Sequence, residues 1–218
     1  MLDFDKTYWE DHWAPHTAGP AGAAGVGGQL PVNPYLLVET AHLPAGTALD
    51  AGCGTGAEAL WLAEHNWQVT GADISAAALA AATDRAANRG LSGRVKWVEA
   101  DLTTWEPGRC WDLVVTSYAH SQTGQLAFYQ RLGSWVAPGG TLLIVGHLHN
   151  SHNSRHGDHH GSSSGHPEHA TATRSGIAEL FQSPDWRIDA SYDTTRAVQA
   201  GGRTMPLHDV IVRAHRQQ

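Results

Sequence analysis

Two kinds of apolar pattern alternate along the chain from about residue 35 to residue 146. Short continuous apolar runs, such as residues 111–116 and 141–146, are typical of buried parallel strands. Segments with apolar residues three and four positions apart, such as residues 122–136, predict helices. Strands that alternate with helices in this way predict an α/β fold, with a doubly wound, mostly parallel sheet and helices on both faces.

The same pattern locates the individual elements. Helices are predicted at residues 35–42, 57–65, 122–136 and 175–182, and an alanine-rich helix runs from its cap at Ser75 to about Gly90. Seven strands are predicted, at residues 48–50, 68–72, 94–99, 111–116, 141–146, 186–192 and 208–213. The last two strands have no helix between them, so we expect an antiparallel strand at that edge of the sheet.

The first 29 residues differ in composition from the rest. Residues 1–17 are acidic and aromatic and suit a short helix, whereas residues 18–28 are rich in glycine and proline. The glycine-rich stretch is either a flexible connector or a hinge that lets the aromatic segment close over a site. We therefore predict an N-terminal lid segment with its hinge at residues 1–29 and a single domain at residues 30–218.

A histidine-rich insert follows the fifth predicted strand. Residues 147–170 hold eight of the fifteen histidines, and Leu148 and Ala170 are their only apolar residues. Such a segment cannot bury itself, so we predict a long solvated loop. Imidazoles capture Zn²⁺, Ni²⁺ or Cu²⁺ weakly, but the intervening glycines and serines leave no fixed geometry, so we predict no specific metal site.

The composition disfavours several classes of partner. The formal net charge of the 218 residues is -7, and only Lys6 and Lys96 are lysines. Nucleic acids and anionic membrane surfaces attract clustered positive charge, so we expect neither as a partner. No apolar run approaches the roughly 20 residues of a membrane span. Because the acidic start is unlike a signal peptide and two cysteines make no disulfide framework, a cytoplasmic protein is expected.

A glycine loop follows the first predicted strand, in the sequence LDAGCGTGA at residues 49–57. Its glycines at positions 52, 54 and 56 allow backbone N–H groups and a helix N-terminus to approach a ligand closely. Taken alone, this loop also satisfies the dinucleotide-binding pattern.

Three carboxylates at consecutive strand ends separate the alternatives. Asp50 would repel a pyrophosphate but attract an ammonium group, Asp73 is placed for ribose hydroxyls, and Asp101 could accept from an adenine amino group. Asp73 is shared with NAD enzymes and does not discriminate. Together the three describe a ligand with an amino group, a ribose, an adenine and no phosphate.

The motifs LDAGCGTG, GADIS, EADL, DLVVTS and APGG, within residues 30–146, resemble those of the class I S-adenosylmethionine-dependent methyltransferases. The resemblance implies a seven-stranded sheet whose last strand is antiparallel, S-adenosyl-L-methionine as cofactor, and a monomer or homodimer that methylates a small molecule at sulfur, nitrogen or oxygen. The implied cofactor-binding residues are Asp50, Gly52, Gly54, Gly56, Asp73, Ile74, Asp101, Leu102 and Ser117. The short chain and its aromatic start are also similar to tellurite-resistance and thiopurine-type enzymes.

Aromatic and histidine side chains near the predicted site complete the candidates. Tyr8 and Trp13 could cover the sulfonium, although ordinary packing of an N-terminal helix explains them equally well. His120 lies just after the fourth strand and is the candidate general base for a hydroxyl acceptor, or else a loop histidine bonded to backbone. Tyr118 is the second catalytic candidate, because the resemblance places it beside the sulfonium.

Two other classes of function stay open at this stage. The first is a cofactor-, metal- or metalloid-binding protein on the same fold that uses its histidine-rich loop. The second is an NAD-dependent oxidoreductase, which Asp50 and the absence of a Tyr-x-x-x-Lys pair disfavour.

Overall fold

The computed structural model describes residues 4–14, 31–148, 170–200 and 203–218. It contains six helices over these ranges, namely α1 (Lys6–Trp13), α2 (Pro34–Thr40), α3 (Ala57–Glu64), α4 (Ala76–Asn88), α5 (Gln125–Gly133) and α6 (Arg174–Leu180). Its strands are β1 (Thr47–Ala51), β2 (Gln68–Asp73), β3 (Val95–Glu99), β4 (Trp111–Ser117), β5 (Val136–Leu148), β6 (Thr171–Ala172), β7 (Trp186–Ala200) and β8 (Arg203–Arg216).

The strands form one sheet in the order β3-β2-β1-β4-β5-β8-β7, and the two-residue β6 pairs with β5. The pairings among the first five strands are parallel, whereas β8 runs antiparallel to both β5 and β7. The predicted mostly parallel seven-stranded sheet with an antiparallel strand is therefore confirmed. The antiparallel strand is β8, the last strand in the chain. It lies between β5 and β7, and β7 forms the edge of the sheet.

Helices cover both faces of the sheet. On one face, α2, α3 and α4 contribute Leu36, Leu60 and Ala86 to a buried apolar cluster. On the other face, α5 and α6 contribute Leu132 and Ile177 to a second cluster. The continuous apolar strands lie between these clusters and are buried on both sides, as parallel strands require.

Several element boundaries differ from those predicted. The fifth helix is shorter than residues 122–136, because Val136 already pairs with Trp111 as the first residue of β5. The last two strands are much longer than predicted and form a hairpin that extends beyond the rest of the sheet. Polar residues alternate with apolar ones in these strands, so no continuous apolar run marks their full length in the sequence.

The histidine-rich insert begins later than predicted. His147 and Leu148 belong to β5, where they pair with β6, and His147 is buried. Ala170, at the other end of the insert, is also buried. Residues 149–169, with the other seven histidines of the insert, lie outside the described residues. The solvated loop therefore stays a prediction.

Candidate functional site

A cavity of about 1270 Å³ opens beyond the carboxyl ends of β1, β2 and β4. Parallel strands of a doubly wound sheet place ligand sites at this edge, where the strand order reverses. The wall includes residues from the loops after these strands, from α1 and from β7. It brings together most of the predicted site residues, namely Tyr8, Trp13, Gly52, Gly54, Asp73, Ile74, Asp101, Leu102, Ser117, Tyr118 and His120.

The glycine loop after β1 adopts backbone conformations that side chains disfavour. Gly52, Gly54 and Gly56 all have positive φ angles, of 76°, 49° and 82°. Gly52 and Gly54 line the cavity. Gly56 instead faces the interior, where a Cβ would lie 2.7 Å from the Trp97 ring. The predicted ligand contact is thus available to the first two glycines, and the third allows α3 to begin against the sheet.

Gly52→Ala should lower the free energy of unfolding by about 1–3 kcal/mol more than Gly90→Ala does. Both glycines have positive φ, so both substitutions strain the backbone. Only at Gly52 would the new Cβ lie 2.4 Å from the Ala119 Cβ, whereas nothing lies within 4 Å at Gly90. Urea unfolding of the two variants measures the difference, and equal losses would show that the loop has room at Gly52.

Asp73, the last residue of β2, organises the loop from within. Its Oδ2 accepts from the Gly54 N–H at 2.8 Å and its Oδ1 from the Ser75 N–H at 2.9 Å. Burial raises the pKa of the Asp73 carboxyl above its ordinary value, and these hydrogen bonds partly offset that rise. Each oxygen keeps a lone pair, so the carboxylate can accept further hydrogen bonds from a ligand in the cavity.

Asp50 lies beneath the loop rather than in the cavity wall. It is 1% exposed, and its Oδ2 accepts from the Ala59 N–H at the start of α3 at 2.9 Å. Burial, with a smaller contribution from the charge of Glu58, raises the pKa of Asp50 well above its usual range. Glu58 does line the cavity, and its Oε1 accepts from the Asn33 N–H at 3.0 Å. Sequence reasoning missed Glu58 because a first-turn glutamate is common on exposed helices.

The loop after β3 supplies Asp101 and Leu102, and Ile74 follows β2. Asp101 is exposed, and its Oδ1 accepts from both the N–H and the hydroxyl of Thr103. Leu102 is buried and Ile74 is half-buried, and both line the cavity. The arrangement offers an apolar surface beside a carboxylate, which suits a flat heterocycle with an amino group.

Helix α1 forms the outer wall of the cavity, and Tyr8 and Trp13 project from it into the lining. The Trp13 ring lies directly over Gly54, because a Cβ at Gly54 would be 2.9 Å from Trp13 Cζ2. Glu10 joins α1 to the start of α4, where its carboxylate accepts from the Ser75 hydroxyl and from the N–H groups of Ala76 and Ala77. The predicted N-terminal helix is therefore present, and its Trp13 ring lies over the glycine loop.

The residues after β4 bring Ser117, Tyr118 and His120 to the cavity. Tyr118 has a φ of 55°, which is rare for a residue with a large side chain. The His120 ring lies 5.1 Å from the Phe4 ring and 5.4 Å from the His147 ring, measured between centroids. Burial raises the pKa of the Tyr118 phenol above its ordinary value, so Tyr118 stays protonated at neutral pH.

A charged network from the C-terminal hairpin reaches the same end of the cavity. Arg196 on β7 lines the wall, donates through Nε to Asp209 at 2.9 Å, and donates through Nη2 to the Tyr118 hydroxyl at 3.0 Å. Asp209 on β8 is fully buried and also accepts from the Tyr35 hydroxyl at 3.1 Å. No local motif marks Arg196, so only the pairing of distant strands reveals it.

Two negative findings apply to the described ranges. Within residues 4–14, 31–148, 170–200 and 203–218, no three histidine, cysteine, aspartate or glutamate side chains are grouped so that they could hold a metal ion. Over the same ranges, no helix is both long and apolar enough to cross a membrane.

Known proteins resemble this chain over its first parallel strands. Residues 48–140 match the family model described as a methyltransferase domain. A ribosomal RNA small subunit methyltransferase C of Alcanivorax borkumensis is 39% identical over 106 residues, which cover 46% of this chain and 32% of that protein. A probable thiol methyltransferase 2 of Arabidopsis thaliana is 33% identical over 142 residues, or 63% of this chain and 60% of that protein.

The chain thus spans between a third and three fifths of the length of these two relatives. Among solved structures, TehB from Haemophilus influenzae superposes with a TM-score of 0.70 over 86% of this chain and 63% of that chain, at 14% identity. At this identity the likeness concerns the fold alone. The matched family residues include β1, the glycine loop, Asp73, Asp101 and His120.

Proposed function

We propose that this chain, whose residues 48–140 match a methyltransferase domain, is a class I S-adenosylmethionine-dependent methyltransferase that transfers a methyl group to the sulfur, nitrogen or oxygen of a small molecule. The observation that carries the proposal is a single cavity whose wall holds the glycine loop and Asp73 together with Tyr118 and His120. The similarity to the probable thiol methyltransferase 2 of Arabidopsis thaliana supports a small acceptor, and sulfur nucleophiles are the first to test.

The residues present fit S-adenosylmethionine. The ligand carries positive charge, and burial raises the pKa values of Asp50, Glu58 and Asp73 because it disfavours their charged forms. A cationic ligand would stabilise these charged forms. We assign Gly52 and Gly54 to the loop contact, Asp73 to the ribose, and Ile74, Asp101 and Leu102 to the adenine. When bound, the cofactor supplies an electrophilic methyl group on a sulfonium. Glu58, which lines the cavity, would accept from the ligand's amino group, and Asp50 beneath the loop would add negative charge.

The remaining residues align the acceptor and exclude water. Aromatic side chains of α1, Tyr8 and Trp13, cover the loop and suit a cationic ligand, each contributing about 0.5–2 kcal/mol. Positioning of two reactants in a dry cleft can supply roughly 7–11 kcal/mol of a barrier. His120 would take the proton of a hydroxyl acceptor, and Tyr118, which stays protonated, would donate a hydrogen bond beside Ser117.

The proposal also covers the organisation of the chain. We assign residues 1–29 to a lid segment with its hinge and residues 30–218 to the methyltransferase domain. A small-molecule acceptor, rather than a nucleic acid, is supported by the net charge of -7 and the two lysines. Cys53 and Cys110 are free thiols, which supports a cytoplasmic location.

Asp73→Ala should weaken the binding of S-adenosylhomocysteine by about 1.5–3 kcal/mol, because a charged acceptor for ribose hydroxyls is lost. The matched control is Asp112→Ala, since Asp112 also accepts from a backbone N–H, that of Thr47 at 2.7 Å, but is absent from the cavity wall. Calorimetric titration of both variants makes the comparison. Equal affinities in the two variants would remove Asp73 from the ligand site.

The activity itself is tested with labelled methyl donor and a panel of thiol, amine and phenol acceptors. We expect label to appear on at least one acceptor class and to disappear when the protein is heated beforehand. Binding of S-adenosylhomocysteine without transfer to any acceptor would instead favour a protein that binds the cofactor and does not catalyse.

A further inference from the structure

Arg196 is the only arginine or lysine among the described residues that line the cavity. Its side chain is 32% exposed, so part of the guanidinium faces the cavity and part is covered. The remaining acidic groups of that wall are Glu58 of α3, Asp73 at the end of β2 and Asp101 after β3. The described wall therefore combines three carboxylates with one arginine, which β7 contributes.

The guanidinium is held in one orientation by buried groups. Its Nε donates to Asp209, whose side chain is 0% exposed, and Asp209 is held in turn by the Tyr35 hydroxyl. A buried carboxylate without a partner is strongly destabilising, so the Arg196–Asp209 pair is kept intact in the folded protein. Arg196 is thus positioned before any ligand arrives, and little side-chain entropy is lost when one binds.

Arg196 and Tyr118 carry the hydrogen-bond donors at this point. Arg196 Nη1 makes no hydrogen bond within the described part of the chain, whereas Nη2 donates to the Tyr118 hydroxyl at 3.0 Å. The Tyr118 hydroxyl accepts from Arg196, and its own hydrogen is shared between the Asp209 carboxylate and a ligand in the cavity. Arg196 and Tyr118 both line the cavity, so an oxyanion there could accept from a guanidinium N–H and a phenol O–H together.

The surrounding wall is apolar and aromatic. Phe4, Trp9, Phe128 and Val198 line the cavity together with Arg196. A ligand that satisfies both features has an apolar body and one anionic group. The anionic group carries one charge rather than two, because Asp209 shares the Arg196 guanidinium and would repel a doubly charged phosphate more strongly than a carboxylate.

We propose that Arg196 and Tyr118 form a carboxylate subsite, and that the methyl acceptor is a small carboxylic acid with an apolar body. The inference rests on the proposed function, since it names the acceptor class of the same cavity. The carboxylate binds the guanidinium edge and the phenol, and the apolar body lies against the aromatic wall. Arg196 acts as a specificity-determining residue that selects acids over their neutral amides.

The test compares carboxylates with their amides on the full chain saturated with S-adenosylhomocysteine. Calorimetry with benzoate, naphthoate and butanoate, each paired with its amide, should show about a tenfold or greater preference for at least one acid, as charge-assisted hydrogen bonds imply. Equal binding of acid and amide in all three pairs, or binding of neither, would overturn the proposal.

The variants separate recognition from folding. Arg196→Gln alone would leave Asp209 buried and unpaired, so the decisive variant is Arg196→Gln with Asp209→Asn, which removes both charges. We expect this double variant to lose the preference and Arg196→Lys to keep part of it. A double variant that melts cooperatively and keeps the full preference would also overturn the proposal.

The matched control is Arg213→Gln with Glu39→Gln. Arg213 pairs with the buried Glu39 at 3.0 Å, as Arg196 does with Asp209, but neither residue lines the cavity. This control should keep the preference for the acid, and its loss would show that the preference depends on general stability. Failure of the wild type to bind S-adenosylhomocysteine would instead contradict the proposed function itself, so the two failures are distinguishable.

Discussion

His120→Ala should lower kcat for a hydroxyl acceptor by about 10²- to 10⁴-fold, with little change in cofactor affinity, because a general base contributes an effect of that size. His120 lines the cavity two residues after Tyr118. A thiol acceptor that ionises below the assay pH needs no base, so its kcat should fall much less. The ratio of the two losses identifies the role of the imidazole.

His65→Ala is the control for this experiment. The His65 ring stacks on Trp61 at 3.8 Å, and neither residue lines the cavity. His65→Ala should leave kcat unchanged for both the hydroxyl and the thiol acceptor. If His120→Ala loses activity equally for thiol and hydroxyl acceptors and keeps the wild-type pH–rate profile, His120 has a packing role against Phe4 and His147.

Removal of residues 1–14 should lower kcat/KM by on the order of 100-fold while the sheet still folds, because closure over the cavity is lost. Helix α1 contributes Tyr8, Trp9 and Trp13 to the cavity wall, whereas every strand begins after residue 46. The expected result is a cooperative unfolding transition close to that of the full chain, together with slow turnover. Full turnover by the shortened protein would show that the lid is unnecessary.

A point variant tests the same closure without truncation. Hydrogen bonds from Ala76, Ala77 and Ser75 lower the pKa of Glu10 below its usual value. The Glu10 carboxylate therefore stabilises the packing of α1 against α4 at pH values above the pKa that Glu10 has in the unfolded chain. This contribution is lost as the pH falls through the lowered pKa of the folded protein. Glu10→Ala should therefore reduce kcat/KM in the direction of the truncation, and Asp11→Ala, an exposed position on the same helix, should not.

Local motifs in the sequence predicted the elements beside the cavity that depend on neighbouring residues. The β1 strand, the glycine loop and α3 follow one another directly, and Asp73 ends the next strand, so each could be placed from its own surroundings. The continuous apolar runs of β4 and β5 likewise predicted buried parallel strands, and their alternation with helices predicted a doubly wound sheet.

The parts that sequence reasoning missed depend on contacts between distant residues. Arg196 reaches Tyr118 across 78 positions, and Glu10 reaches Ser75 across 65. An arginine in an alternating strand and a glutamate in an acidic helix are ordinary surface patterns, so nothing local distinguishes them. His147 was expected in a solvated loop because its neighbours are polar, but the extension of β5 buries it.

Asp50 shows a different kind of limit. Its position before the glycine loop predicted a ligand contact, and the sequence gives no indication of which way the side chain turns. In the structure the carboxylate faces the N-terminus of α3, where it accepts from Ala59. Glu58, eight residues after Asp50 and in the first turn of α3, lines the cavity.

Calorimetric titration of the full chain with S-adenosylhomocysteine and with NAD⁺ tests the central claim most directly. Glu58, Asp73 and Asp101 line the cavity with the glycine loop, and their negative charge would repel the pyrophosphate of a dinucleotide. We expect S-adenosylhomocysteine to bind at micromolar concentration or below and NAD⁺ to give no heat of binding. Binding of NAD⁺ with no response to S-adenosylhomocysteine would contradict it.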